Sequence, residues 1–347
     1  MPERMPDIVV NARTLHAPTT GVQRYTQALL EHFAGRVEVV APPRPLPGVL
    51  GHAWEQAVLP RLLRGRLLWS PGNTGPLSVA AQVVTIHDAA TLDHPEWFSP
   101  SFARLYALLL PRLARGTRRV LTVSEYSRAR LLAHAQVPSR RIEVVPLAAA
   151  GRFRPVPPEE RARVRALFGL PERYLLTVGS LEPRKNLGRL FQAWQAWENR
   201  PPEVQLAVVG GEGRIFGGLG FERLPEGVKL LGRVGDAELP GVYGAAEGFV
   251  YPSLYEGFGL PPLEAMASGT PVITSRTTSL PEVVGDAALM VDPYRPDSML
   301  DAMRRLVNDR ELQEDYRERG LERAKRFSWN RTAEETWNVL SSARDQR

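Results

Sequence analysis

The stretch Tyr251–Pro271, YPSLYEGFGLPPLEAMASGTP, decides how the chain is read. An apolar strand ends at Tyr251–Pro252. A loop follows in which Gly257 and Gly259 flank Phe258, and a short helix then starts at Pro261 and Pro262. Proline suits a first helical turn, where its missing N–H would have no intrahelical acceptor anyway. Gly269 and Pro271 stop the helix. Strand, glycine loop and helix start in this order form the repeating half of a parallel α/β sheet, with the loop at the strand's carboxyl end.

Outward from this stretch the same alternation recurs. Toward the N-terminus the expected strands are Asp7–Ala12, Val37–Ala41, Leu67–Ser70, Gln82–His87, Arg119–Ser124 and Ile142–Pro146. Helical patterns separate several of them, at Gly21–Phe33, Ala53–Leu63, Phe102–Arg115 and Glu125–Ala135. Leu147–Pro171, with four prolines, breaks the rhythm and reads as a linker with one helix. A second set follows, with strands at Tyr174–Gly179, Val204–Gly210, Val228–Leu231, Gly248–Pro252, Val272–Thr274 and Ala288–Val291. Its helices are expected at Leu187–Glu198, Ala237–Ala246, from Pro261, and at Asp297–Val307, and Glu311–Ala343 reads as two helices broken near Ser328. Near-continuous apolar strands alternating with helices predict two doubly wound α/β domains. The expected division is 1–150, a linker at 151–171, 172–327, and a C-terminal helix at 328–347 that packs back on the first domain. Ligands of such sheets lie at the strands' carboxyl ends, so each domain is expected to present its loops to an interdomain cleft.

Composition narrows the function. A chain of 347 residues predicts about two domains. The absence of Cys excludes a disulfide scaffold, a Cys–zinc site, an iron–sulfur cluster and a thiol nucleophile, and fits a cytoplasmic protein. No apolar run approaches the length of a membrane span, and MPERMPD has no apolar core of a signal peptide. Residues 1–150 carry 17 Arg against 10 acids, a net of +7, so the whole excess of the +6 chain lies in its first half. Base composition of the genome explains an Arg-rich chain as readily as an anionic partner does. Among partners, a membrane surface or lipid-linked phosphate ranks above nucleic acid, because no basic and aromatic interleaving marks a nucleic-acid strip. Arg104, Arg112, Arg115, Arg118 and Arg119 are the expected docking set, at the inner face of the membrane.

The glycine loop before the Pro261 helix is an anion seat: glycine admits a ligand to the backbone, and a helix start offers N–H groups and a positive dipole end. Glu256 precedes the seat and Glu264 lies in the first turn after it. Carboxylates are poor partners for phosphate but accept hydrogen bonds from hydroxyl groups. A nucleoside-diphosphate sugar, with phosphates between hydroxylated rings, satisfies all three features. Taken singly, Glu264 reads first as a dipole-stabilising acid and Glu256 as a solvated loop charge; the whole stretch is more specific than its parts. Arg184 and Lys185 follow the strand ending at Gly179, where two cations can hold a diphosphate and stabilise its growing charge. His87 ends a buried strand and is either a satisfied core histidine or a site residue at the strand's carboxyl end. Asp88 either orients it or meets the acceptor. Gly21, Asn73 and Ser124 lie at strand-to-helix loops of the first half. Ser279–Glu282 has the pattern of a capping box, so Glu282 is expected to be structural.

Tyr251–Pro271 resembles the glutamate–seven residues–glutamate motif of the retaining glycosyltransferases of family 4, which adopt the GT-B fold. Gly21–Leu30, Thr122–Leu131, Val178–Leu187 and Thr278–Pro293 are also similar to that family, and these blocks span almost the whole chain. The nearest likeness is to bacterial mannosyltransferases of surface-polysaccharide assembly. The resemblance implies that Glu264 binds the nucleotide ribose and Glu256 the donor sugar's hydroxyls. It implies that the backbone of Gly257, Phe258, Gly259 and Leu260 cradles sugar and diphosphate, and that His87 reaches the sugar. Gly21 is expected near the donor phosphates or the acceptor, with Asn73, Asp88 and Ser124 contacting acceptor or sugar. Many relatives carry Arg directly after the strand glycine, where this chain has Ser180. The implied reaction transfers a sugar, mannose from GDP-mannose, to a saccharide or lipid-linked acceptor by front-side attack. The chain has no Asp-x-Asp motif near the site, so no metal and no cofactor beyond the donor is expected. A sugar-nucleotide epimerase and a non-catalytic nucleotide-sugar-binding protein are the alternatives.

Overall fold

The computed structural model describes residues 6–17, 20–210 and 223–346. The segment 1–5, part of the stretch read above as no signal peptide, lies outside them. Two compact units emerge, Met1–Leu147 with Ser328–Arg347, and Ala148–Phe327.

The first unit holds a six-stranded sheet: β1 (Ile8–Asn11), β2 (Glu38–Val40), β3 (Leu67–Ser70), β4 (Gln82–Thr85), β5 (Arg119–Thr122) and β6 (Ile142–Val144). All pairings are parallel, in the order β2-β1-β3-β4-β5-β6. The inner strands β1, β3 and β4 are wholly buried, as expected of a sheet covered on both faces. The final helix, Trp329–Asp345, belongs to this unit. Thr332 Oγ1 donates to the Pro146 carbonyl at 2.7 Å and Arg118 donates to the Ala343 carbonyl at 2.7 Å. Arg36 lies over the Trp337 ring at 3.5 Å.

The second unit holds β7 (Arg173–Val178), β8 (Val204–Val209), β9 (Val228–Gly232), β10 (Gly248–Tyr251), β11 (Val272–Ser275) and β12 (Leu289–Val291). They too are parallel, in the order β12-β11-β10-β7-β8-β9. The strand order reverses between β7 and β10, and ligands of open α/β sheets lie at the carboxyl ends of strands at such a reversal. In the first sheet the reversal falls between β1 and β3. Phe191 and Trp194 of the helix Leu187–Gln195 are fully buried against one face of the second sheet, each worth about 2–3 kcal/mol of burial.

Several boundaries differ from the sequence reading. The expected helix Ala53–Leu63 is two, Gly48–Ala57 and Leu59–Leu62. Pro60 has no N–H to bond the carbonyl four residues back, and its ring disfavours helix there. The stretch expected as a linker, 151–171, carries one helix, Pro158–Phe168, and supplies Phe153, Val164 and Leu170 to the core of the second unit. The final helices, Arg310–Ala324 and Trp329–Asp345, part at Ser328, whose side chain accepts from the Arg331 N–H.

Candidate functional site

The site is built at the reversal between β7 and β10. After β7 the chain turns through a single 3-10 turn, Pro183–Lys185, and Asn186 takes a left-handed conformation at φ 59°. Asn186 fixes that turn by donating from Nδ2 to the Pro252 carbonyl at 3.1 Å and the Pro293 carbonyl at 2.6 Å. Leu254 N–H donates to the Arg184 carbonyl at 2.7 Å. These bonds bring Arg184 and Lys185 beside the loop that follows β10.

Glu256, only 7% exposed, receives four donors there. Its Oε1 accepts from Lys185 Nζ at 2.6 Å, Tyr251 Oη at 2.8 Å and Ser253 Oγ at 2.6 Å. Its Oε2 accepts from Arg184 at 3.1 Å. Lys185 Nζ also donates to Tyr251 Oη at 2.6 Å, closing a triangle of buried polar groups. Arg184 also pairs with Glu182 at 2.6 Å. Burial opposes the charge on Glu256, but the Lys185 and Arg184 cations overcome it and hold the carboxyl down at about 2. Burial pushes the Lys185 ammonium below its ordinary value, Glu256 opposing that shift. Burial and the Glu256 carboxylate together push the Tyr251 phenol up. A buried opposite-charge cluster at a strand-order reversal is where ligand chemistry is expected.

The glycine loop is held from beneath. Ser279 Oγ lies 2.9 Å from the carbonyl oxygens of both Glu256 and Phe258, its one hydrogen serving the pair. Thr278 Oγ1 accepts from the Glu256 N–H at 3.2 Å. The expected capping box at Ser279–Glu282 is therefore not formed: the serine hydroxyl is spent on the glycine loop, and no side-chain cap bond closes the helix Leu280–Val284. Phe258 turns its side chain inward, edge-on to Phe327 at 5.8 Å. The helix runs Leu260–Ala267, with Gly259 before it at φ 110°, where a Cβ would press on Leu280. Pro261 and Pro262 carry no N–H, so of the first three helical residues only Leu260 has a donor. The anion seat is thus made by the loop backbone, Gly257–Leu260, more than by the helix turn.

Glu264 is the fifth residue of that helix, beyond the first turn, and 6% exposed. Its Oε2 accepts from Tyr243 Oη at 3.2 Å. Burial and a second-turn place leave the dipole-stabilising reading without support. At the adjoining strand ends, Gly179, Gly210 and Gly232 succeed one another on β7, β8 and β9. Gly210 has φ +123°, and a Cβ there would overlap the Gly179 carbonyl oxygen. A hollow beside Lys185 is lined by Thr177, Val178, Gly179, Ser180, Leu187, Val208 and Tyr251.

The first unit treats its expected residues differently. His87 lies past the end of β4, 7% exposed, its ring edge-on to Tyr25 at 4.8 Å. His87 Nε2 stands 2.9 Å from the Pro71 carbonyl, so that nitrogen carries the hydrogen, and burial pushes the imidazole below its ordinary value toward the neutral form. Asn73, at φ 66°, accepts the His87 N–H at 2.7 Å, and Ser127 Oγ donates to the His87 carbonyl at 3.2 Å. Ser124 caps the helix Glu125–Ala135 by accepting from the Ser127 N–H at 3.0 Å. Asp88 accepts from the Ala90 N–H at 3.0 Å and caps the turn that follows. Gly21 is the first residue of the helix Gly21–His32. These residues share one carboxyl edge, but most of their polar side chains are engaged with neighbouring backbone. Tyr251, Ser253 and Asn186, which hold the charged cluster and its loop, were not singled out from the sequence, and Ser279 was read there only as a helix cap. Only the fold shows what they touch.

Two family patterns match the chain, "Glycosyl transferases group 1" over residues 159–323 and "Glycosyltransferase Family 4" over residues 75–148. The chain is 36% identical to the O-antigen chain mannosyltransferase B of Escherichia coli, over 83% of this chain and 77% of that one. It is 31% identical to the MMP alpha-(1->4)-mannosyltransferase of Mycolicibacterium hassiacum, over 78% of this chain and 68% of the other. Among solved structures, sucrose-phosphate synthase of Thermosynechococcus elongatus superposes with a TM-score of 0.78 at 21% identity, over 98% of this chain and 99% of that one. Anabaena HepE in complex with UDP-glucose gives 0.78 at 18% identity, over 96% of this chain and 99% of that one. At those identities the structures speak for the fold, and the sequence relatives for the family. With its two parallel six-stranded units and these relatives, the chain belongs to the glycosyltransferases of family 4, on the GT-B fold.

Proposed function

We propose that this glycosyltransferase moves mannose from GDP-mannose to a saccharide or lipid-linked acceptor hydroxyl, with retention at the anomeric carbon and without a metal ion. One observation carries the reading: Arg184, Lys185 and Glu256 converge at the β7–β10 reversal, below the Gly257–Leu260 loop. Mannose is favoured by relatives named as mannosyltransferases, and GDP by the family resemblance.

The donor diphosphate competes with Glu256 for the two cations. As it binds, Arg184 exchanges its contact with Glu256 Oε2 for a phosphate oxygen, and that carboxylate oxygen becomes an acceptor for a sugar hydroxyl. Lys185 and Arg184 then neutralise the charge that grows on the leaving diphosphate. Glu264 takes the ribose hydroxyls, and the loop N–H groups cradle the phosphates. A double displacement needs a carboxylate free to attack the anomeric carbon. Glu256 Oε1 is held by three donors, and Oε2, once Arg184 leaves it, is taken by a sugar hydroxyl, so neither oxygen is free to attack; this supports front-side attack, the departing diphosphate taking the acceptor's proton. His87 presents Nδ1 as its acceptor nitrogen from the first unit, and Gly21, Asn73, Asp88 and Ser124 shape the acceptor side.

A thermal-shift panel of GDP, UDP, ADP and their sugars tests the donor. GDP and GDP-mannose should raise the melting temperature most, by the equivalent of about 2.7 kcal/mol at a hundredfold excess over Kd. A larger shift with the uridine pair overturns the base assignment, and no shift with any of them overturns the donor site. Transfer should be unchanged in EDTA, and a reversible loss would overturn the metal-free mechanism.

A further inference from the structure

The helix Pro100–Gly116, PSFARLYALLLPRLARG, contains no Asp or Glu. Ala103, Leu109, Leu110, Leu113 and Ala114 form its buried stripe. On the opposite face, positions 104, 105, 108, 112 and 115 recur at helical spacing. There Arg104, Arg112 and Arg115 stand exposed among Leu105 at 39% and Leu108 at 58%, and Phe102 at 37% borders this face on the Leu105 side. A water-facing helix surface usually carries charges of both signs and few large apolar groups. Phe102 is fixed there, stacked on Tyr106 at 4.2 Å and on Phe98 at 5.7 Å. Val49, 80% exposed, lies on the helix Gly48–Ala57, whose His52 ring packs edge-on to Tyr106 at 6.2 Å.

Among the described residues, the cations of this face have no carboxylate partner. Arg141 donates to the Arg115 carbonyl at 3.1 Å, which adds Arg140 and Arg141 to the basic end. Among the described residues, none of Arg104, Arg112, Arg115, Arg140 or Arg141 has a carboxylate at ion-pair distance, whereas Arg128 and Arg130 on the neighbouring helix pair with Glu125 and Asp93. Arg118 and Arg119, expected from the sequence to join the docking set, are half-buried, and Arg118 is spent on the Ala343 carbonyl. Nucleic acid would satisfy the cations but leave Phe102, Leu105 and Leu108 in water. The boundary of an anionic bilayer supplies phosphate to the first and acyl chain to the second.

We propose that this face, Phe102, Arg104, Leu105, Leu108, Arg112 and Arg115, docks the enzyme on a membrane of anionic phospholipid. It does so by partial insertion of the three apolar side chains. Nothing in this depends on the donor site, and its test uses no donor. The purified chain is sedimented with phosphatidylcholine vesicles and with mixed phosphatidylcholine–phosphatidylglycerol vesicles, at low and high salt. It should bind the mixed vesicles, less so at high salt. Changing Arg104, Arg112 and Arg115 to Gln should weaken binding about fivefold per arginine. Changing Phe102, Leu105 and Leu108 to Gln should weaken it at least about tenfold while keeping the salt dependence. Circular dichroism and melting temperature report whether each variant folds, and the single change Leu108→Gln, at the most exposed of the three, serves if the triple does not. Equal binding to both vesicle types, binding to neither, unchanged binding of the folded apolar variant, or stronger retention on duplex DNA than on vesicles would each overturn the proposal.

Discussion

The carboxyl edges of the two sheets use polar side chains in opposite ways. In the first unit, Asn73, Ser124, Ser127 and Asp88 bond to neighbouring backbone, and His87 is pinned through its N–H, its carbonyl and its ring. Each is a neutral hydrogen bond or a single cap, worth about 1 kcal/mol. In the second unit, Lys185, Arg184, Tyr251 and Ser253 all aim at one buried carboxylate. Opposite charges stripped of water interact strongly but are costly to bring together, so they are retained where something other than stability is served. The first edge is tied by short-range neutral bonds, and the second gathers opposite charges, which on the proposed reading the donor redistributes.

Removing one charge from the second edge should break the comparison most sharply. Lys185→Met leaves Glu256 buried with less compensation and should cost about 3–5 kcal/mol in denaturant unfolding. It should also lower turnover by roughly 10²–10³-fold. The double change Lys185→Met with Glu256→Gln should recover most of the stability and none of the turnover. Recovery of both would make the cluster purely structural.

Acid titration should show the next largest effect. The folded Glu256 carboxyl titrates at about 2, below the ordinary 4.5, so its stabilisation is full above pH 4.5 and is lost as pH falls from there toward 2. About 3 kcal/mol of acid-linked stability should disappear from that window in Glu256→Gln. An unchanged acid limb in that variant would mean that other carboxylates carry it.

On the first edge the effects should be smaller. Asn73→Ala loses the acceptor of the His87 N–H and places alanine at positive φ, a cost of about 1–2 kcal/mol by thermal unfolding. For His87, burial depresses the folded pKa below the unfolded 6.5, so the unfolded chain takes the proton first. Its contribution is full above pH 6.5 and declines as pH falls through it. Stability measured across that range should lose this slope in His87→Gln. If His87→Gln instead lowers turnover as steeply as Lys185→Met with little loss of stability, the contrast between the two edges fails.

Much of the second edge was legible in the sequence because it is local. Glycines flanking Phe258, two prolines opening a helix and two acids seven residues apart lie in a single stretch, and strand, loop and helix follow from propensity and spacing. The capping box failed for the converse reason: Ser279 has the right local spacing, but its hydroxyl meets carbonyls 21 and 23 residues away. The split of Ala53–Leu63 was readable from Pro60, whereas the absorption of 151–171 into a core depends on what the rest of the unit leaves uncovered.

By itself, the amino-acid sequence determined two α/β halves, the glycine loop with its flanking acids and the basic bias of the first 150 residues, since periodicity, backbone freedom and charge are properties of single segments. Tertiary structure alone decided that Lys185 and Glu256, 71 positions apart, share a proton-rich buried cluster with Tyr251 and Ser253. It also decided that Ser328–Arg347 joins the first unit and that Arg118 is occupied while Arg104, Arg112 and Arg115 face water. Burial and pairing are set by which distant segments the sheet order brings together, and no single segment encodes that order.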